Sequence, residues 1–327
     1  MTPMIRNLTL LLAAELVLVA ALNLSGRSDA GHTGPLLAFE PDSVQRLRIS
    51  DGDGRAVMLE REAEGWVLPE AERFPADADR IDDLLAELAG LEAGAPVARS
   101  TEAHERFRVT EDAFERHVVL EDADGTVGEL LLGRSRDTRR VHARADDAEA
   151  VVVIELPTWE LPTARRDWLD QSRLQLEAKD VVAIELEDLR IERDEEEDDD
   201  GGTTEDGWRL AAREADDDAT RGEPDGAAVD RLVRRLATLR VADVLTDAPA
   251  AEDEATARTV VLETRDGRRV RYVLTPLGED WALATSLRPE RFRLDAVTAK
   301  PILEHATPGT LLAGGEEAPA EEVEQEA

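Results

Sequence analysis

The sequence predicts an α+β protein: an N-terminal transmembrane helix followed by two tandem repeated units, each of antiparallel β-strands with a packed amphipathic helix. Three observations predict this class. An apolar run lies near the N-terminus, short alternating segments are joined by Asp-Gly turns, and one order of motifs occurs twice. Alternation with period two is typical of half-buried strands, and strands that follow one another through tight turns pair antiparallel.

The apolar run covers residues 8–24 and follows Arg6. At 1.5 Å per residue it spans about 25 Å, slightly less than the ~30 Å hydrocarbon core of a bilayer. Because no small-residue cleavage site follows it, we interpret it as an uncleaved single-pass anchor, with a cleaved signal peptide as the alternative. Arg6 favours a cytoplasmic N-terminus, which predicts an inner (cytoplasmic) membrane protein with the bulk of the chain outside the cytoplasm.

Glu15 lies in the middle of this run. A carboxylate at that depth costs about 2.5–3.5 kcal/mol and usually indicates a polar partner. Glu15 is therefore a candidate intramembrane contact with a partner subunit. The alternative is a protonated side chain that an otherwise apolar helix tolerates.

The repeat starts after a polar linker. Gly65-Trp66 precedes the helical pattern IDDLLAELAGL from Ile81, and Gly207-Trp208 precedes VDRLVRRLATL from Val229. VLEDADG and VLETRDG then follow in the same order and at nearly the same spacing, which indicates a duplicated unit. The predicted divisions are anchor and linker 1–35, repeat unit 1 at 36–172, repeat unit 2 at 173–305 and a disordered acidic tail at 306–327. Acidic loops are predicted near 194–206 and 214–226.

Charge limits the classes of partner. The chain has 74 Asp and Glu against 39 Lys and Arg, a net charge of -35. Such a surface repels phosphate backbones and excludes nucleic acid as a partner. Acid excess with only two lysines indicates adaptation to high salt, where counterions screen the repulsion. The absence of Cys excludes disulfides, thiolate metal sites and Cys nucleophiles.

No motif predicts a catalytic, cofactor or metal site. The five His residues have no ligand spacing, although His117 and His142 are near enough in a hairpin pattern to meet. The acidic run 194–200 lacks the spacing of a calcium loop and is interpreted as a solvated loop. Nucleotide-binding and nucleophile-elbow motifs are absent. Trp66 and Trp208 occupy equivalent repeat positions, which favours core packing over a sugar platform.

Four segments resemble the bacterial family called domain of unknown function 4340. They are Phe39-Glu40-Pro41-Asp42-Ser43-Val44, Gly65-Trp66 before a Leu-rich helix, Leu131-Leu132-Gly133-Arg134 with Val141-His142-Ala143-Arg144, and Arg165-Arg166-Asp167-Trp168-Leu169. The resemblance implies an N-terminal membrane segment and a gene location beside ABC-type transporter components of the gliding-motility kind. It implies no catalytic residues.

These observations together lead to a functional hypothesis. We expect a non-enzymatic, membrane-anchored envelope protein, an accessory or binding subunit of an ABC-type transport system, with the inner membrane and transporter permeases as partners and no cofactor. An anchored hydrolase of envelope polymers and a structural envelope module without a transporter link stay open as alternatives.

Overall fold

The computed structural model of the chain describes residues 34–137, 139–145, 148–187, 189–194, 196–197, 203–204, 207–211, 222–246 and 256–313. These residues form two compact units. The first consists of residues 34–67 and 78–167, and the second of residues 68–77 and 168–313. Each unit is described below by itself.

An eight-stranded antiparallel sheet dominates the first half of the chain. Its strands are β1 (Arg46–Ser50), β2 (Ala56–Glu62), β3 (Gly65–Leu68), β4 (Phe74–Pro75), β5 (Arg116–Glu121), β6 (Thr126–Ser135), β7 (Arg140–Ala145) and β8 (Val152–Glu155). Their order in the sheet is β4-β3-β2-β1-β5-β6-β7-β8. Two helices, α1 (Ala78–Ala89) and α2 (Thr101–Phe107), lie in the sequence between β4 and β5.

A second eight-stranded sheet follows. Its strands are β9 (Val181–Leu186), β10 (Leu189–Arg193), β13 (Trp208–Leu210), β14 (Asp243–Val244), β15 (Arg258–Thr264), β16 (Arg269–Leu277), β17 (Asp280–Thr285) and β18 (Arg288–Leu294). The order is β13-β10-β9-β15-β16-β17-β18-β14, with a separate hairpin of β11 (Glu196–Glu197) and β12 (Thr203–Thr204). Helices α3 (Gly226–Ala237), α4 (Ala296–His305) and α5 (Pro308–Leu311) complete the unit. β1 pairs with β2 and β5, and β9 pairs with β10 and β15, so the first strand of each sheet lies between the second strand and a strand from the later part of the sheet.

The structure corrects the predicted α+β class. Most regular structure is antiparallel sheet, and the described helices are few and short. The longest have 12 residues, about 18 Å, against the ~30 Å of a bilayer core. No helix in the described ranges is long and apolar enough to cross a membrane, so the predictions of a transmembrane helix, a single-pass protein and an inner-membrane location are corrected. Residues 8–24 themselves lie outside the described residues.

Residues 158–167 contain two turns of 3₁₀ helix, Thr158–Glu160 and Arg165–Asp167. Pro157 and Pro162 lie beside these turns, and proline lacks the backbone donor that a longer helix needs. The stretch predicted as a disordered tail begins with α5, and residues 314–327 lie outside the described residues.

Alternation along the strands creates one buried face in each sheet. In β1, Leu47 and Ile49 are fully buried while Arg46 and Arg48 face outward. The inward residues of the second sheet include Leu262, Tyr272, Leu274, Leu283 and Phe292. Burial of one large apolar side chain stabilises a fold by about 1.5–3 kcal/mol, so these two inner faces carry most of the hydrophobic stabilisation.

A Trp–Asp–Arg cluster links helix and sheet in both units. The Trp66 indole donates a hydrogen bond to Asp82 of α1 at 3.2 Å, and the Arg61 guanidinium lies 4.7 Å from the ring centroid. The second unit repeats these contacts.

There, the Trp208 indole donates to Asp230 of α3 at 2.9 Å, and Arg193 lies 4.4 Å from the ring centroid. Both indoles are buried, so each serves the packing role expected from the repeat spacing.

Asp51 and Gln171 are buried polar side chains that have hydrogen-bond partners. Asp51 accepts from the backbone N–H groups of Asp53 and Arg55 and from the Thr163 hydroxyl, each at 3.0 Å. Burial by itself would raise the pKa of Asp51, but these hydrogen bonds lower it below its usual range. Gln171 pairs with the backbone of Val241, donating at 3.1 Å and accepting at 3.0 Å.

Tyr272 is an exception in the second unit. The residue is fully buried, and its hydroxyl has no hydrogen-bond partner among the described residues. Burial also raises the pKa of the phenol. An unpaired buried hydroxyl keeps its full desolvation cost of about 1–3 kcal/mol.

We expect Tyr272→Phe to increase the free energy of unfolding by about 1 kcal/mol, because the change removes the unpaired hydroxyl and keeps the ring. Urea unfolding of both proteins measures the difference. Tyr272→Leu is the control, and it should destabilise the fold because it leaves a cavity. A marked loss of stability in Tyr272→Phe would show that the hydroxyl has a partner.

Candidate functional site: an arginine-lined groove on the second sheet

A groove of about 580 Å³ lies on the outward face of the second sheet. It is lined by Val261, Arg269, Arg271, Val273, Ala284, Thr285 and Ser286. These residues come from β15, β16 and β17 and from the turn after β17. Antiparallel pairing sets Val261 opposite Arg271 and Val273 opposite Ala284, so the lining is fixed by the register of three neighbouring strands.

The floor of the groove is apolar because of strand alternation. Val260, Leu262 and Leu274 point inward and are buried, which leaves Val261, Val273 and Ala284 on the outward face. Partly exposed apolar side chains beside cations suit a ligand with an apolar body and an anionic group.

Arg269 and Arg271 differ in their partners. Arg269 forms an ion pair with Glu185 of β9. Arg271 is exposed, and its guanidinium has no carboxylate partner within the described ranges. The backbone N–H of Arg271 donates to the Ser286 hydroxyl at 3.0 Å, which holds the turn after β17 against β16.

The carboxylates beside the groove are already paired. Arg190 of β10 binds Glu185, Glu192 at 2.8 Å and Glu263 at 2.9 Å. The hydrogen bond to Glu192 is the main cause of a raised pKa for Arg190. Glu185 also pairs with Arg269 and Glu192 with Arg209, so the three carboxylates are shared among three guanidinium groups. Arg271 adds a further guanidinium to the groove, in a chain of net charge -35.

Strand pairing identifies the equivalent positions in the first sheet. Val119 is paired with Arg48 and Glu129, just as Val261 is paired with Glu185 and Arg271. By the same pairing, Leu131 corresponds to Val273 and Arg144 to Ala284. Glu129 therefore occupies the place of Arg271, and the two outward faces differ in charge.

In the first unit, a segment of the chain covers this face. The carbonyl oxygen of Phe107 would lie 1.9 Å from a Cβ atom at Gly133, so only glycine permits the segment to cross β6. Val109 packs with Leu131 and Val151, and Arg144 donates to the Val109 carbonyl at 2.7 Å. The outward face of this sheet type is thus able to hold a polypeptide segment.

The residues considered for metal binding do not meet. His117 contacts Glu129 at 2.8 Å, and His142 contacts the Arg134 carbonyl and stacks on Phe107. No group of three metal-ligating side chains occurs within the described parts of the chain. Most of the acidic run 194–200 and the candidate contact residue Glu15 lie outside those parts.

One carboxyl group has a strongly raised pKa. Glu87 of α1 and Glu160 share a hydrogen bond; partial burial, followed by this contact, raises the pKa of Glu87 to about 7. Glycoside hydrolases keep their two carboxyl groups about 5–9.5 Å apart to hold a sugar or water between them. Carboxyl groups that bind each other on an open helix face do not have that geometry.

The sequence contained a weak signal for the groove. The outward positions of β16 carry Arg269 and Arg271, whereas β6 carries Glu129 at the position equivalent to Arg271. Composition could not reveal it, because arginine is abundant throughout the chain. The groove can be recognised only when the strand register is known, because the register shows which face each charged residue lies on and which residues are beside it.

Fold and groove together define a duplicated, mainly β protein with a cationic surface groove in its second unit. Residues 66–259 match the family model described as "Domain of unknown function (DUF4340)". This chain belongs to that family, as the resemblance noted in its sequence suggested. Comparison with curated proteins and with solved structures gave no match.

The Glu87–Glu160 pair predicts a pH dependence of stability. Because the folded-state pKa of Glu87 is raised from 4.5 to about 7, the fold favours the protonated form. The contribution of protonated Glu87 to the free energy of unfolding is fully present below pH 4.5 and is lost as the pH rises to about 7. Glu87→Gln should therefore become more stable relative to wild type as the pH rises through this window.

Chemical unfolding of both proteins at the two ends of the window tests this. Glu62→Gln removes a carboxylate elsewhere in the unit and serves as the control for the change in net charge. A difference between Glu87→Gln and wild type that stays constant with pH would show that the two acids titrate independently.

Proposed function

We propose that this protein is a non-catalytic binding subunit whose groove on the second sheet holds a carboxylate-bearing segment of a partner protein. The observation that carries the proposal is the exposed Arg271 guanidinium, which has no carboxylate partner among the described residues and lies beside an apolar floor. A carboxylate from a partner would supply the missing charge-assisted hydrogen bonds.

The shape of the surface supports a polypeptide ligand. An extended chain places successive side chains on opposite sides, so every second side chain of a bound segment faces the groove. Apolar groups at these facing positions can lie on Val261, Val273 and Ala284, and an acidic group at a facing position would lie beside Arg269 and Arg271. The segment that crosses the first sheet at Gly133 supports the same mode of binding.

We expect a synthetic peptide that carries Val and Glu in turn at every second position, with Thr between them, to bind the full chain, and Arg271→Glu to weaken this binding about tenfold or more. Ala284→Phe should also weaken it, because the new ring fills the floor without changing the charge. Isothermal titration calorimetry measures both effects.

Arg48→Glu is the matched control. Arg48 is also an exposed outward arginine, but it lies on the first sheet, so its reversal should leave the peptide affinity unchanged. Equal binding of a Val–Gln peptide, or an equal effect of Arg48→Glu, would contradict recognition of carboxylates by the groove.

We further propose that the partner is a component of an ABC-type transport system, as the family resemblance implies. This makes the protein an accessory subunit that contributes binding and not chemistry. A photo-crosslinking residue placed at Ala284 in cells should capture such a component, and the Arg271→Glu change should abolish the capture. Capture of unrelated proteins only would point to a structural module without a transporter link.

A further inference from the structure

Helices α1 and α3 occupy equivalent places in the two units and share the same buried positions. The equivalence is set by Asp82 and Asp230, which accept the indole hydrogen bonds. From these two residues the buried pairs follow: Ile81 with Val229, Leu84 with Leu232, Leu85 with Val233 and Leu88 with Leu236.

The exposed positions of the same helices have opposite charges. Asp83 of α1 corresponds to Arg231 of α3, and Glu87 corresponds to Arg235. The inner faces of the two helices are therefore alike, whereas these two outer positions are acidic in α1 and basic in α3.

The basic face borders a shallow groove of about 560 Å³ that also includes Ala227, Asp230 and Thr238. Asp230 is bound to the Trp208 indole and to Arg193, and not to the arginines of this face. The side chains of Arg234 and Arg235 have no carboxylate partner among the described residues, and Arg231 approaches only His305, at 3.5 Å. Three adjacent guanidinium groups repel one another, and they do so in a chain with nearly twice as many acidic as basic residues. A bound anionic surface would relieve that repulsion.

Asp83 and Glu87 likewise have no cation partner among the described residues. Glu87 shares a hydrogen bond with Glu160, which is an arrangement that two ionised carboxylates avoid. The neighbouring Trp159 is 69% exposed, the most exposed aromatic side chain in the described chain. Trp and Arg are the residues that most often dominate protein interfaces, and an indole face also attracts a guanidinium.

We propose that the acidic face of α1 in one copy of this chain docks on the basic face of α3 in a second copy. Asp83 and Glu87 are spaced i, i+4, as are Arg231 and Arg235, so two charge pairs form when the helices lie side by side. Trp159 then packs near Arg234. The contact joins unlike surfaces, so each copy keeps one free face of each kind and further copies can add head to tail.

This interface is electrostatic, so salt and charge reversal test it. In sedimentation velocity runs across a concentration series, the full-length wild type should self-associate at about 0.15 M salt, where a Debye length of about 8 Å screens the long-range repulsion between two chains of net charge -35. It should dissociate as the Debye length falls to about 3 Å at 1 M, because the contacting charge pairs are then screened as well. Arg231→Glu with Arg235→Glu, and separately Asp83→Arg with Glu87→Arg, should each weaken self-association about tenfold or more.

Mixing the two double variants should restore association, because the intact acidic face of the first then meets the intact basic face of the second. Arg48→Glu with Arg139→Glu applies the same charge change on exposed residues elsewhere and should behave as wild type. Arg271→Glu should also associate normally, which separates this interface from the peptide groove.

Three results would overturn the proposal. A wild type that is monomeric under all these conditions excludes a second copy as the occupant. Association that neither charge reversal changes would assign it to another surface, such as the apolar run 8–24. A monomeric protein that binds anionic lipid vesicles through Arg231 and Arg235 would assign the basic face to a lipid surface.

Discussion

Each half of this chain depends on covering one apolar face of an eight-stranded sheet. Alternation places half of every strand on that face, and exposure of so much apolar surface to water would prevent folding. An amphipathic helix supplies the cover, and the Trp–Asp–Arg cluster fixes where it begins. The indole of Trp66 or Trp208 is buried beneath a guanidinium and bound to a carboxylate on the outer side of its helix, Asp82 or Asp230. The same contacts therefore hold the helix against the edge of the sheet in both halves of the chain.

The outward faces are free of this constraint, and there the two units differ. The first sheet carries its own segment across β6, with Gly133 providing the space and Arg144 holding the backbone. At the positions equivalent to Gly133, Leu131 and Arg144, the second sheet has Thr275, Val273 and Ala284. There the face is open and forms the groove lined by arginines. A duplicated scaffold with one face occupied and one open is suited to binding, because the rigid inner core positions the groove while its lining residues vary.

Part of this arrangement could be predicted from the sequence. Alternating runs, Asp-Gly turns and the Leu spacing from Ile81 depend only on local chemistry, and glycines 54, 125 and 267 have the positive φ that such turns need. The fold class was wrong because a few strongly amphipathic helices suggested a larger helical share than the many short strands allow. The groove and the charge contrast of α1 and α3 depend on register and on comparison of facing positions, so neither was apparent in the linear sequence.

The outward ion pairs also bear on how two such similar sheets avoid exchanging strands during folding. In the first sheet, Arg46 on the first strand binds Glu60 and Glu121. In the second, the arginine is Arg190 on the second strand, and the place of Arg46 is taken by Ala183.

If β1 entered the second sheet, Arg48 would lie opposite Arg190. If β9 entered the first, Glu60 and Glu121 would lose their arginine and gain Glu185 as a neighbour. Like charges on directly opposed strand positions are destabilising, and exchange of elements between similar units is a common route to misfolding in repeated chains. The surface charges therefore favour pairing of each first strand within its own sheet.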